Sequence, residues 1–304
     1  PFDKAAVRHW FPIDLYVGGI EHAILHLVYS RFWTKVMKDL GLIDWSEPAT
    51  RLFPQGMVHK DGEVMSKSKG NTIAPDDVIR RYGADTLRLY ILFAAPPELS
   101  MEWSETGIEG PHRFLLRVWR LIQKNAGAAS RRAAGYEGLT ESGAALRRKV
   151  HQTIARVTDD IDERIHLNTA VAALMELTNE IYRLEESLRG EADAAALAEA
   201  LDSLVLLLSP FAPHACEQMW QDLGHAKSLV DEPWPAADAA AQKETTIEKA
   251  VQVNGKVRGT VNVSPDADEA ANTAAALAAV PAHVEGKQLV KVIVRANLIS
   301  LVVK

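Results

Sequence analysis

Hydrophobic positions in the first hundred residues follow two alternating periods. IDLYVGG (13–19) is a short apolar run closed by two glycines, which predicts a buried strand ending in a turn. From Glu21 to about Leu40 the apolar residues return at helical spacing. Ile24, Val28 and Phe32 form the stripe, Leu25, Leu27 and Val36 widen it, and Gly41 ends it. RLFPQGMV (51–58) predicts a second strand. In APDDVIRRYG, Pro75, Asp76 and Asp77 open a helix and Gly83 closes it. ADTLRLYILFAAPP continues as helix or strand up to the double proline. Strand, helix, strand, turn, helix is the rhythm of an α/β layer on a parallel sheet.

Beyond Pro97 the pattern becomes helical. Thr106 and Glu109 have capping-box spacing ahead of a long helix. Helix 144–164 carries Leu146, Val150, Ile154, Val157 and Ile161. Helix 167–189 carries Val171, Leu174, Leu177, Ile181 and Leu184, and an Ala- and Leu-rich helix spans 192–208. Pro213 marks one more helix start. These elements predict a helical bundle, and the Pro/Ala/Asp stretch at 231–241 predicts a linker. In the last sixty residues, two alternating runs flank Asn254-Gly255, a hairpin signal. An Ala-rich helix at 267–279 and two strands within 289–303 complete a β-β-α-β-β unit. No internal repeat is present. The expected fold is therefore multidomain, α/β over 1–100, all-α over 101–242 and α+β over 246–304.

Composition narrows the function classes. The 304 residues suit two or three domains, and 24% charged with 47% hydrophobic residues suits a globular protein with real cores. No apolar run reaches the length of a membrane span, and no signal peptide opens the chain. The single cysteine, Cys216, provides no disulfide framework, which points to a reducing, cytoplasmic setting. Beside His214, it reads as a small buried hydrophobe. The net charge of -6 argues against a surface coated in nucleic acid but allows a local basic track. The opening PFDKAAVRHWFPIDLYVGG lacks a methionine and runs abruptly into an apolar strand, which predicts a fragment or one half of a split protein.

Two features carry candidate chemistry. In EVMSKSKGNTIAPDD (63–77), Lys67 and Lys69 alternate with Ser66 and Ser68 ahead of Gly70 and Asn71. Composition alone allows a solvated hairpin tip. It also allows a clamp that offers ammonium, hydroxyl and backbone N–H donors to a polyphosphate. The spacing is not that of a Walker loop. The second feature is the helical row Arg113, Arg117, Arg120 and Lys124, with no acid between 110 and 136. Arg131, Arg132, Arg147, Arg148 and Lys149 extend it. Like charges at i, i+4 destabilise a helix unless an anion compensates, so an RNA backbone competes with a solvated face as the explanation. Lys256, Arg258, Lys287, Lys291 and Arg295 make the last unit basic, either for RNA or as strand-edge lysines. His22 and His26 stand four apart like a metal pair, but Ala23 occupies the place of a zinc-protease glutamate, so no metal is expected. Glu21 by itself reads as a first-turn acid matched to a helix dipole.

MSKSKGN resembles the KMSKS loop of class I aminoacyl-tRNA synthetases. LYVGGIEHAILHLVYSRFWTK, RLFPQGMV, the stretch from PDDVIRRYGADTLRLY through HRFLLRVWRL, LNTAVAALMELTNEIY and LSPFAPHACEQMW resemble, in order, the leucyl-tRNA synthetases of bacteria and organelles. VQVNGKVRG resembles the C-terminal domain of that family. The resemblance implies that 1–100 is the second half of a Rossmann-like catalytic domain, followed by an anticodon-type helical bundle and a small tRNA-binding domain. It implies that Lys67 acts on the phosphates of ATP as the catalytic residue, with Ser66, Ser68, Lys69 and Gly70 completing the loop and Val64 where the family's first lysine stands. It places Gly18, Gly19, Glu21 and His22 under the adenosine and the backbone of Met57 and Val58 against adenine. The activity implied is leucine activation by ATP with Mg²⁺, then transfer to tRNA(Leu). No HIGH motif, editing domain or insertion ahead of the loop is present in the sequence. The implied partner is therefore the HIGH-containing half, joined covalently or as a subunit. A fragment of an isoleucyl- or valyl-tRNA synthetase and a non-catalytic tRNA-binding module are the alternatives.

Overall fold

In the computed structural model, which describes residues 2–243, 247–264 and 266–304, the predicted parallel pair forms at the start of the chain. Helix α1 (Lys4–Trp10) leads into β1 (Ile13–Gly19), and α2 (His26–Asp39) returns the chain to β2 (Ala49–Gln55). The two strands run parallel in register from Ile13↔Ala49 to Gly19↔Gln55. The helix expected from Glu21 is broken in two. Residues 20–24 form a 3-10 turn, and Leu25 at φ -119°, ψ -97° interrupts it before α2. β1 is not buried, since Leu15 and Val17 are 41% and 48% exposed. Ile24, Leu25, Val28 and Phe32 of the apolar stripe are each more than half exposed. The periodicity correctly marks which face is apolar, but none of the described residues covers it.

RLFPQGMV is also divided, because Gly56 leaves the strand. Its N–H donates to Pro97 O at 2.9 Å. A Cβ at Gly56 would lie 2.2 Å from the Leu99 carbonyl, so only glycine lets the two backbones approach. β3 (Val58–Lys60) and β4 (Glu63–Val64) then form a hairpin, and β5 (Met101–Glu102) joins β3 in parallel on the other side. α3 (Pro75–Tyr82) has proline at its start and ends at Gly83, φ 86°. The ambiguous segment after it is helix α4 (Ala84–Ala94).

The bundle comprises α5 (Glu109–Lys124), α6 (Glu141–Asp162), α7 (Leu167–Glu185), α8 (Gly190–Leu208) and α9 (Pro213–Asp222). The capping box expected at α5 is not made. Ile108 takes the N-cap position without a side-chain bond, and Ser104 Oγ instead accepts the Gly107 N–H at 3.0 Å. The predicted apolar rows converge as expected, with Leu146, Val150, Leu174, Leu177, Ile181, Leu201 and Leu204 fully enclosed. Each such leucine contributes about 1.5–3 kcal/mol by leaving water. Cys216 is buried among them, and burial, followed by the Asp85 charge, pushes its thiol well above the ordinary range. Among the described residues no helix is long and apolar enough to cross a membrane.

The chain divides into compact units Pro1–Ala237 and Asp238–Lys304, a division inside the predicted linker. The expected start of the last domain at 246 lies outside the described residues. The second unit holds β6 (Ile247–Val253), β7 (Lys256–Val263), α10 (Glu269–Ala279), the short α11 (Pro281–Val284), β8 (Leu289–Arg295) and β9 (Leu298–Val303). Asn254 and Gly255, φ 48° and 79°, form the expected turn. The Asn254 side chain also exchanges two 3.0 Å hydrogen bonds with the Val303 backbone, fixing the last strand. The sheet order is β7-β6-β9-β8, with a parallel central pair and an antiparallel hairpin on each side.

Candidate functional site

The lysine-serine loop leaves the β3–β4 hairpin and is braced from within. Asn71 Oδ1 accepts the Ser66 N–H at 2.8 Å, and its Nδ2 donates to Val64 O at 3.3 Å, closing residues 64–71 into a ring. Ser66 caps a 3-10 turn over Lys67–Lys69, its Oγ accepting the Lys69 N–H and lying 3.1 Å from Ser68 Oγ. Gly70 takes the left-handed conformation, φ 70°, that the turn requires. The two lysines are not equivalent. Lys69 Nζ is 3.1 Å from the Glu63 carboxylate. Lys67 is exposed and has no partner among the described residues. Asn71 is absent from the predicted phosphate contacts, and its role is the brace. Its signal in the sequence is an amide side chain immediately after the left-handed glycine.

The register of β1 and β2 sets Gly18 and Gly19 beside Pro54 and Gln55 at the carboxyl ends of two parallel strands, where α/β sheets receive ligands. A Cβ on Gly19 would lie 2.3 Å from Glu21 Oε2, so the glycine lets that carboxylate fold over the backbone. His22 Nδ1 is buried without a hydrogen-bond partner, and its ring meets His26 edge-on at 6.3 Å. His26 Nδ1 is 2.8 Å from the Tyr16 hydroxyl, and the two rings stack. Met57 N–H donates to Ser100 Oγ at 3.3 Å, and its carbonyl accepts from Met101 N at 3.0 Å. Val58 O accepts the Met65 N–H at 3.0 Å. Met57 and Val58 therefore join the base of the loop to β5. The fold thus gathers the predicted nucleotide residues into two groups, one at the strand ends and one at the loop base.

The basic row on α5 is exposed throughout, but its members differ in their engagement. Arg117 donates to Asn179 Oδ1 at 2.9 Å and lies over the Tyr182 ring. Lys124 pairs with Glu185 at 2.9 Å, and that hydrogen bond raises its pKa. Arg132 is held by buried Asp202 at 3.1 Å, and Arg147 by buried Glu199 at 3.1 Å while covering the Tyr136 ring. Lys149 pairs with Glu176 at 2.9 Å, and Arg148 is half-buried and engaged within the chain. Arg113, Arg120 and Arg131 are exposed and have no carboxylate partner among the described residues. In the second unit, Lys256 and Arg258 lie on one edge strand of the sheet and Lys291 and Arg295 on the other. Three strand spacings separate those edges, about 14 Å.

The family described as "tRNA synthetases class I (I, L, M and V)" matches residues 1–104, and "Anticodon-binding domain of tRNA ligase" matches 144–273. The leucine–tRNA ligases of Thioalkalivibrio sulfidiphilus (strain HL-EbGR7) and Syntrophobacter fumaroxidans (strain DSM 10017 / MPOB) are 51% and 48% identical to it over 98% and 97% of this chain. The chain is a homologue of the leucine–tRNA ligases. It spans 36% of the length of each of those two relatives. A solved leucyl-tRNA synthetase, in the ternary complex of Agrobacterium radiobacter K84 agnB2 LeuRS with tRNA and LeuAMS, superposes with a TM-score of 0.78 at 35% identity. The match covers 100% of this chain and 39% of that one. A Mycobacterium tuberculosis methionyl-tRNA synthetase in complex with methionyl-adenylate superposes with a TM-score of 0.54 at 23% identity, over 72% of this chain and 46% of that one, and shows the fold alone. The leucine–tRNA ligase likeness thus covers both the sheet and the helical parts of a class I synthetase fold.

Proposed function

We propose that this chain is part of a leucine–tRNA ligase and contributes its ATP loop and tRNA-binding parts. The complete enzyme would join leucine to the α-phosphate of ATP with departure of pyrophosphate, then transfer leucyl to the 3′ end of tRNA(Leu). Residues 1–100 would serve the catalytic domain, and 101–242 and 246–304 would serve tRNA. The observation that carries this reading is the braced loop with Lys67 left unpaired. An ammonium held there meets negative charge developing on the leaving pyrophosphate, which makes Lys67 an electrostatic catalyst rather than a nucleophile or base. Ser66, Ser68, Lys69 and Gly70 shape the loop, Gly18, Gly19, Glu21 and His22 accommodate the adenosine, and Met57 and Val58 lie along the adenine. The loop's ammonium and hydroxyl donors suit phosphate oxygens rather than a metal. Mg²⁺ would enter on the phosphates of ATP and neutralise part of their charge.

The uncovered apolar face of β1 and α2 supports a covering partner, the HIGH-containing remainder of the synthetase. An apolar stripe exposed to this degree marks an interaction surface. The expected result is that this chain alone shows no leucine-dependent ATP–pyrophosphate exchange and that adding the remainder restores it. Exchange by the chain alone would refute its reading as an incomplete half.

A non-catalytic tRNA-binding role for the chain by itself is favoured by the unpaired arginines on α5. Reversing Arg113 and Arg120 to Glu is expected to weaken binding of a tRNA transcript. It should also reduce the log–log salt slope by about two, one for each lost phosphate contact. Fluorescence anisotropy across a salt series measures both, and equal affinity and slope would return the row to a solvated face.

A further inference from the structure

A cavity of about 440 Å³ lies where the starts of α4 and α9 meet α5. That volume falls within the roughly 300–1,000 Å³ of ligand sites. Its walls are mainly rings and aliphatic carbon, from Tyr82, His112, Leu116 and Trp119. Polar atoms at its edge are arranged rather than orphaned. Asp85 is buried and accepts twice, from the Ala215 N–H at 2.6 Å and from His214 Nδ1 at 2.8 Å. With both carboxylate oxygens accepting, the His214 proton sits on Nδ1 and the ring is held in one orientation. Its side chain is nevertheless 80% exposed, and Nε2 has no partner among the described residues. At the other edge, Thr86 Oγ1 and His112 Nδ1 are 3.3 Å apart.

Two cations on α5 lie next to the mouth. Leu116, 39% exposed, has Arg113 three residues before it and Arg120 four after it, so the two arginines, unpaired among the described residues, lie along one flank of the opening about 10 Å apart. We propose that this cavity receives one unstacked nucleobase of a bound RNA, with the ring against Trp119 and Leu116, an edge on His214 Nε2, and flanking phosphates on Arg113 and Arg120. Aromatic walls inside a cationic rim are what single-stranded RNA segments require, since their exposed bases stack on side chains while arginines hold the backbone. An apolar protein side chain would fit the walls but would leave the like-charged rim uncompensated. This inference rests on the tRNA-binding reading above and adds the site that takes a base.

The test compares binding of this chain to a tRNA transcript and to a blunt RNA duplex without unpaired bases, across a salt series. Wild type is expected to prefer the transcript by about tenfold or more. Leu116→Trp, which fills the cavity, and Trp119→Leu, which removes the stacking wall, should each abolish that preference while keeping the salt slope. His214→Gln, at a side chain 80% exposed, should lower the preference severalfold and covers the case in which a cavity variant fails to fold. A preference unchanged in all folded variants, with binding still lost in the Arg113/Arg120 reversal, would overturn the base site and leave RNA binding standing. Absence of any RNA binding by wild type would overturn both.

Discussion

Replacing Lys67 by alanine is expected to slow leucine-dependent ATP–pyrophosphate exchange by about a hundredfold or more in the complex with the HIGH-containing remainder. A donor aimed at charge that develops only in the transition state contributes about 2.7–4 kcal/mol, and each 1.36 kcal/mol is tenfold in rate. The size of the effect follows from the state of the side chain. Lys67 is exposed and unpaired at the head of a braced turn, so its ammonium reaches a phosphate without first breaking a contact. Lys69 is tied to Glu63, and Lys69→Ala should cost less. Single-turnover adenylate formation with saturating leucine separates this effect from weaker ATP binding. An unchanged rate in the folded complex would sink the role of Lys67.

The largest expected effect on stability is at Glu199. Its carboxylate is buried in the bundle, 3.1 Å from Arg147 Nε and 3.4 Å from His151 Nε2. Burial pushes its pKa up. The hydrogen bonds and charges of His151, Tyr136 and Arg147 outweigh that, and the net position is below the ordinary carboxylate range. Removing one partner of a buried pair leaves the other charge uncompensated, so Glu199→Ala should destabilise the fold by about 3–5 kcal/mol. Because the folded-state pKa is depressed, the contribution is present above the unfolded value near 4.5 and is lost as pH falls through the folded one. Glu199→Gln should therefore lose stability mainly at neutral pH and show a flatter acid limb. Asp193, Glu176, Glu180 and Glu217 are also depressed, so the limb flattens only in part. Urea denaturation at neutral pH and near pH 4 measures both effects. Equal stability of Glu199→Ala and wild type at neutral pH would show that the network holds without its carboxylate.

Local periodicity revealed most of the fold. The bundle rows, the hairpin at Asn254-Gly255 and the helix closed by Gly83 all follow from spacing and turn chemistry within a few residues of one another. Two misreadings have different causes. RLFPQGMV reads as one strand, but Leu99 approaches from more than forty residues away and draws Gly56 out of it. The capping box at Thr106 has the right letters, but Ser104 supplies the bond. A distant contact decided the first, and a competing hydroxyl two residues upstream decided the second.

The sequence by itself determined most of the helices and strands, the composition of the loop around Lys67 and the placement of cations along α5 and the segments after it. Each of these depends on neighbours within one or two turns. Only the tertiary structure decided which of those cations stay available. Asp202, Glu199 and Glu185 arrive from other helices and engage Arg132, Arg147 and Lys124, while no carboxylate among the described residues reaches Arg113, Arg120 or Lys67. The same holds for the apolar stripe of α2. A period shows that a face is hydrophobic, but only the arrangement of the rest of the molecule determines whether anything covers it.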